Sequence, residues 1–288
     1  MSGDLDRRPT AEPYGWWGNA WHAPDPLSVV QLIERGNFDA RVAALLWLLI
    51  ERRASIIVAA DPPGAGKTTT LTALADFLPP DVGRLYLRGW NETFAFLGEA
   101  DPRRTYLLCN EISPHLPVYL WGRKVPQLFA AIAEGYGLGA TMHADTLDEV
   151  VATLAGYPLH VPRRQIAHLD LVLTLAVDYH DRRPRRRLEA LYLLDRDGAG
   201  TALNPLTLAH WDAARGIIRH RDGPPPPALL RRSDLGAAAF AAERDRRADF
   251  LTGLVARGVR EAGEVRAVLA TFPATRGFAG MSERQPGD

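Results

Sequence analysis

Residues 56–74 read IIVAADPPGAGKTTTLTAL, and the parsing of this stretch decides the fold. The β-branched run Ile56-Ile57-Val58 suits a strand covered on both faces. Pro62, Pro63, Gly64 and Gly66 make a tight loop, and Leu71, Leu74 and Ala75 then recur at helical spacing. A strand, a Gly-rich loop and a helix N-terminus in that order form a phosphate-binding context. Glycine at 64 and 66 lets the backbone approach a polyphosphate with no Cβ in the way. The amides of Gly64, Ala65, Gly66, Lys67 and Thr68 can turn toward phosphate oxygens, and the helix N-terminus adds partial positive charge. Lys67 would reach the β and γ phosphates, and the Thr68 hydroxyl would coordinate Mg²⁺. Asp61 stands where the pattern G-x-x-x-x-G-K-[ST] has its first glycine, ahead of the cradling amides. A Gly-rich turn that only joins strand to helix is the competing reading. Gly66-Lys67-Thr68-Thr69 at the junction argues against it.

Two later stretches extend the pattern. Residues 105–112, TYLLCNEI, read as an apolar strand ending in Glu111. In P-loop enzymes such a strand is expected beside the phosphate loop, its terminal acid facing Mg²⁺ or the attacking water. Glu111 is therefore the candidate general base and a candidate metal contact, with Asn110 a further candidate for holding metal-bound water. Residues 138–149, LGATMHADTLDE, read as a strand of small residues ending at His143, with Asp145 or Thr146 capping the next helix. A histidine at the C-terminal end of a parallel strand lies where such sheets bind ligands.

The remaining chain frames these motifs. A length of 288 residues with 47% apolar content supports a full core and a smaller appendage. The formal net charge of zero gives no global attraction for nucleic acid or anionic lipid. The single cysteine, Cys109, rules out an intramolecular disulfide and suits a reducing cytosol. No signal-peptide core is present, and the apolar run Val42–Ile50 is too short to span a bilayer. Residues 1–12 read as disordered. Residues 13–26 are rich in aromatics (Tyr14, Trp16, Trp17, Trp21) that could strap the chain's own core, stack on a base or dock on a neighbour. Helices are expected over 27–35, over 40–52 with Asp39 as cap, over 93–98 and over 126–134. Strands are expected over 82–88, 169–177, 187–194 and 201–211. DRRPRRR (181–187) reads as a basic hairpin tip, solvated or facing an acidic partner or phospholipid headgroups. Amphipathic helices occupy 233–272, and 274–288 reads as frayed.

The three motif stretches together resemble the type II/IV secretion ATPase superfamily, whose members are hexameric motors of pili and secretion systems. GAGKTTTL resembles the family phosphate loop, LLCNEI its strand ending in Glu, and GATMHADTLDEVVATL its His box. Residues 25–51, 157–175 and 250–272 resemble segments of the archaeal-type and tight-adherence-like branch. The resemblance implies a RecA-like α/β P-loop core with a small helical C-terminal domain. It implies ATP and Mg²⁺ as ligands, held by Gly64, Ala65, Gly66, Lys67, Thr68 and Thr69, with Thr68 and Glu111 toward the metal. It implies Glu111 as catalytic acid, Lys67 as the catalytic cation on the ATP phosphates, and His143 coupling the γ-phosphate to movement. It further implies a homo-oligomeric ring, a membrane platform protein as partner, and a place at the cytoplasmic face of the membrane.

Four features depart from that pattern: Asp61, and only about 25 residues where the family carries a large N-terminal domain; Arg88–Phe94 in place of its acidic box, with Glu92 the available carboxylate; and Ser113-Pro114 where the family has an arginine. Arg84, Arg88, Arg103, Arg104, Arg123 and Lys124 are candidates to supply a charge from a neighbouring subunit. The expected organisation is an arm (1–25), an ATPase domain (26–212), a Pro-rich linker (213–232) and a helical domain (233–288). The expected function is an ATP-hydrolysing pilus or secretion motor. The alternative is a catalytically weakened nucleotide-binding regulator of such a machine. A nucleic-acid translocase is disfavoured, because no basic stripe interleaves with aromatics.

Overall fold

A computed structural model describes residue 16 and residues 26–180, 183–196 and 203–273. The strap residues Tyr14, Trp17 and Trp21, the expected disorder of 1–12, the tip residues 181–182 and the 274–288 tail lie outside them.

Strand β1 (Ile56–Ala59) is buried along its whole length and sits between two parallel neighbours, β4 (Gly137–Met142) and β5 (Leu171–His180). Its residues alternate between faces, as a period of two requires. Ile56 and Val58 join one apolar cluster, Ile57 and Ala59 the other. Beyond β4 come β3 (Thr105–Ile112) and β2 (Gly83–Tyr86), both parallel. The order β2-β3-β4-β1-β5 is that of a RecA-like P-loop core. β6 (Arg183–Arg196), β7 (Leu203–Asp212) and β8 (Ile217–His220) continue the same sheet antiparallel, giving eight strands. β4 lies between β3 and the phosphate-loop strand β1, and it is the C-terminal end of β3, with Glu111, that reaches the phosphate loop.

Helices cover both faces. α3 (Lys67–Ala75) leaves the β1 loop and packs with α1 (Val29–Glu34) and α2 (Ala40–Ile50) on one side. α4 (Lys124–Ala133), α5 (Leu147–Ala155) and α6 (Arg163–Ile166) pack on the other. α7 (Pro227–Ser233), α8 (Ala237–Arg257) and α9 (Ala262–Ala270) come after the sheet in the chain. Leu251 and Leu254 of α8 share one cluster with Leu46 and Leu49 of α2, so the C-terminal helices and the core helices bury the same apolar surface. Bonds of Ser28 Oγ to the Arg260 carbonyl (2.6 Å) and of Arg260 to both Glu34 oxygens (2.6 and 2.8 Å) lock α1 onto the α8–α9 turn. No helix among the described residues is long and apolar enough to cross a membrane.

Two local expectations are corrected. Residues 93–98 form turns, not a helix: Glu92 turns its carboxylate back onto the amides of Arg88 (2.8 Å) and Phe94 (2.7 Å), and Phe94 takes a φ of +56°. The segment 213–232, expected as a linker, carries β8 and α7. Trp16 bears out one reading of the aromatic stretch, a strap on the chain's own core. It is 1% exposed, its indole N–H donates to the Leu87 carbonyl (3.0 Å), and it meets Tyr86 edge-on at 5.1 Å.

Asp39 caps α2 as expected, its carboxylate accepting from the Val42 amide at 2.8 Å and from His220 at 2.7 Å. Burial alone would raise its pKa. The bonds from His220 and the Val42 amide outweigh burial and hold it below the ordinary carboxylate value. Asp39→Ala should therefore cost about 1 kcal/mol at neutral pH, as cap losses do. A depressed carboxylate contributes stability above its unfolded pKa and loses it as pH falls through the folded one. Thermal melts from about pH 7 to about pH 3 should show the wild-type advantage shrinking in acid. An advantage independent of pH would refute the ionised-cap account.

Candidate functional site

The turn from β1 into α3 is shaped by two glycines in the left-handed region, Gly64 (φ +76°) and Gly66 (φ +91°), a conformation that a Cβ opposes. Among the described residues, the backbone bonds made by amides 64–70 use Ala65, donating to Pro62 (3.3 Å), and Thr70, donating to Gly66 (2.8 Å). The Ala65 amide is thus turned inward. The amides of Gly64, Gly66, Lys67, Thr68 and Thr69 carry no backbone partner there and open the N-terminus of α3 to an anion.

Lys67 lies under this loop, 7% exposed, and its Nζ donates to the Ala60 carbonyl at 2.9 Å. Burial pushes its ammonium below the ordinary lysine value against the attraction of Glu111, Asp61 and Asp145. His143 comes directly after β4. Its ring nitrogens lie 3.4 and 3.5 Å from Lys67 Nζ, its Nδ1 is 2.9 Å from the Asp61 carbonyl, and its Nε2 is 3.2 Å from Glu111 Oε1. A proton on Nδ1 donated to Asp61 fixes the ring and leaves Nε2 facing the carboxylate. Asp61, at the position of the missing glycine, serves through its backbone. Its carbonyl meets His143, and its amide donates to the Asp145 carboxylate at 3.0 Å.

Glu111 reaches this point through an irregularity. The register of β3 against β4 shifts between Cys109 and Ile112, and such bulges re-aim side chains. Glu111 is 5% exposed, and its Oε1, although near His143, has no hydrogen-bond donor among the described residues. The 3.2 Å approach of the ring to the carboxylate is a contact and not an aligned bond. An acceptor-only oxygen buried without a donor is expensive, and a cation or a water is its natural complement.

Lys67, Glu111 and His143 thus converge, and Thr68 follows Lys67 in the first turn of α3. Asn110 does not join them. Its amide donates to the Trp16 carbonyl, so it anchors the strap and is not free for a metal-bound water. Glu92 is likewise committed to its own turn. Of the candidate cations, Arg84 bonds the Ala75 carbonyl (2.7 Å) and Asp76, and Lys124 bonds the Trp90 carbonyl. Thr146 caps α5, accepting from the Glu149 amide.

Two residues of the site were not singled out by sequence. His115, held by Ser113 Oγ at 2.8 Å, meets His143 edge-on at 5.9 Å. Glu111, His115 and His143 offer a carboxylate oxygen and two ring nitrogens within 4.8 Å of one another, a donor set able to hold a divalent cation. Arg186 of β6 donates from Nε to the Gly64 carbonyl at 2.6 Å. The basic tip is thus no uniform solvated turn. Arg187 beside it pairs with Asp178 (2.7 Å) and Glu189 and lies over the Trp211 ring.

No protein-family model matches the chain. It is 29% identical over 185 residues to the uncharacterized protein MJ1287 of Methanocaldococcus jannaschii, an alignment covering 58% of this chain and 68% of that one. It is 25% identical over 277 residues to the uncharacterized protein MJ0900 of the same organism, covering 86% of this chain and 49% of the relative. The chain thus spans about half the length of the second relative. Among solved structures, it overlaps the VirB11 ATPase of the Brucella suis type IV secretion system with a TM-score of 0.37 and 21% identity, over 54% of this chain and 50% of that one. It overlaps the ATPase DotB of Legionella pneumophila with a TM-score of 0.35 and 12% identity, over 58% and 53% respectively.

Proposed function

We propose that the chain binds Mg²⁺–ATP at the β1–α3 loop and hydrolyses it as a ring-forming motor subunit of a pilus or secretion machine, working at the inner face of a cell membrane. The observation that carries the nucleotide reading is the convergence of Lys67, Glu111 and His143 beneath a loop with outward amides. The orphaned Glu111 oxygen fits a neighbouring cation or water. Thr68 and Glu111 would hold Mg²⁺, which would shield the β and γ phosphates when bound. In this reading Glu111 takes a proton from a water as that water's oxygen bonds the γ-phosphorus. The bond from the γ-phosphorus to the β–γ bridging oxygen breaks, and ADP and inorganic phosphate leave. Lys67 neutralises charge on the phosphates, and His143, its Nδ1 on the Asp61 carbonyl, lines the site beside Glu111. The motor role and the ring come from the motif resemblance, with a division into a 26–212 ATPase domain and a 233–288 helical domain.

A regulatory subunit of weakened catalysis is the second reading. It is favoured by the way Glu92, the only carboxylate near the expected acidic box, is bound into its own turn. Nucleotide binding and steady-state turnover across a protein concentration series, with and without Mg²⁺, separate the two. Turnover that rises with assembly supports the motor. Binding without turnover supports the regulator. Lys67→Ala should lower nucleotide affinity at least about tenfold by removing the buried charge partner. Equal affinity in wild type and Lys67→Ala would sink both readings.

A further inference from the structure

The β5–β6 hairpin brings a cation to the phosphate loop that the motif pattern does not contain. β5 pairs with β1 only as far as Thr174, opposite Ala59, and runs on to His180. The hairpin therefore overhangs the C-terminal edge of the parallel strands, where residues 60–66 lie. Arg186 pairs with Val177 in that overhang. Its Nε donates to the Gly64 carbonyl at 2.6 Å, and its Cδ lies 3.2 Å from where a Cβ on Gly66 would stand. Strand alternation separates it from Arg187, whose charge is matched by Asp178 and Glu189. Among the described residues no carboxylate pairs with Arg186, and its terminal nitrogens make no hydrogen bond there.

A guanidinium parked on one carbonyl at the lip of an anion cradle has its terminal N–H groups uncommitted. Bonds between two ionised groups are stronger than a bond to a neutral carbonyl, and the planar fork of arginine matches phosphate geometry. An arriving polyphosphate can therefore take the side chain from Gly64. We infer that Arg186 binds the terminal phosphate of a nucleoside triphosphate in this site, supplied by the same chain, and so makes the site prefer triphosphate over diphosphate. This rests on the nucleotide reading above and adds to it the ligand's phosphate number.

Affinities for Mg²⁺–ADP and for a non-hydrolysable β,γ-imido analogue of ATP, measured by calorimetry, test it in wild type, Arg186→Ala, Arg186→Lys and Arg185→Ala. Arg186→Ala should weaken the analogue at least about tenfold and leave ADP within about twofold. Arg186→Lys should recover part of the loss, and Arg185→Ala should match wild type for both. Unchanged analogue affinity in Arg186→Ala would overturn the inference. So would an equal loss of both nucleotides, which would make Arg186 a prop for the Gly64 turn. If the wild type binds neither nucleotide, the nucleotide reading falls first and takes this one with it.

Discussion

Glu111→Gln should bind nucleotide and fail to turn it over. Glutamine keeps the volume of the side chain, so the buried site at the β3 irregularity stays filled. What changes is chemistry. The carboxylate can accept a proton, and a neutral amide cannot. Oε1 is buried without a donor, so it is available to the water that the reaction needs. Loss of a positioned base should lower turnover by about 10²–10⁴-fold. Nucleotide affinity should hold, since the weaker grip of an amide oxygen on Mg²⁺ is offset by the loss of a buried anion near the phosphates. Single-turnover hydrolysis, measured beside binding, separates the two effects. Turnover within about fivefold of wild type would remove Glu111 from the role of base. Loss of binding alongside turnover would instead make Glu111 a structural charge partner of Lys67.

Much of this site was legible because its parts lie at strand ends. The apolar runs 56–59 and 105–112 are marked by composition, and the chain leaves both at the same edge of a parallel sheet. Strand order was less legible. Nothing local in TYLLCNEI says whether β3 or β4 lies against β1, because that depends on where the crossover helices pack. Arg186 was hidden for a related reason. In a run of arginines each position looks alike until the hairpin register assigns faces, and a slip of one residue would exchange Arg186 for Arg187. The failed helix at 93–98 and the idle Glu92 share one cause. The carboxylate binds two amides of its own loop, a local competitor that periodicity does not register. Asn110 was misread because its partner, the Trp16 carbonyl, is remote in sequence.

Arg247→Ala should be among the most destabilising single substitutions in the chain. Arg247 lies on α8, 1% exposed, with Nη1 on Glu51 Oε2 at 2.6 Å and Nε 3.6 Å from Glu243. Its guanidinium lies 4.9 Å from the Trp47 ring centre and 5.5 Å from that of Phe272. Burial dominates both charges: it lowers the pKa of Arg247 and raises that of Glu51 despite their attraction. The pair is therefore not a large gain in itself. Removing one member, however, strands a buried carboxylate beside Glu243, and such losses cost about 3–5 kcal/mol. For a chain of this size that is on the order of 10 °C in melting temperature. An acid whose folded pKa is raised above its unfolded value destabilises the fold when ionised, and the penalty fades as pH falls through the folded value. The deficit of Arg247→Ala should accordingly shrink on acidification toward the ordinary Glu51 value of 4.5. Replacing both partners, as Arg247→Met with Glu51→Leu, should recover much of what Arg247→Met alone loses, because no charge is left stranded. Melting curves of these three variants and of Glu51→Leu alone decide it. A cost below about 1 kcal/mol for Arg247→Ala, or a double variant worse than the sum of its parts, would mean that α8 is held to α2 by its apolar contacts and owes nothing to this charge.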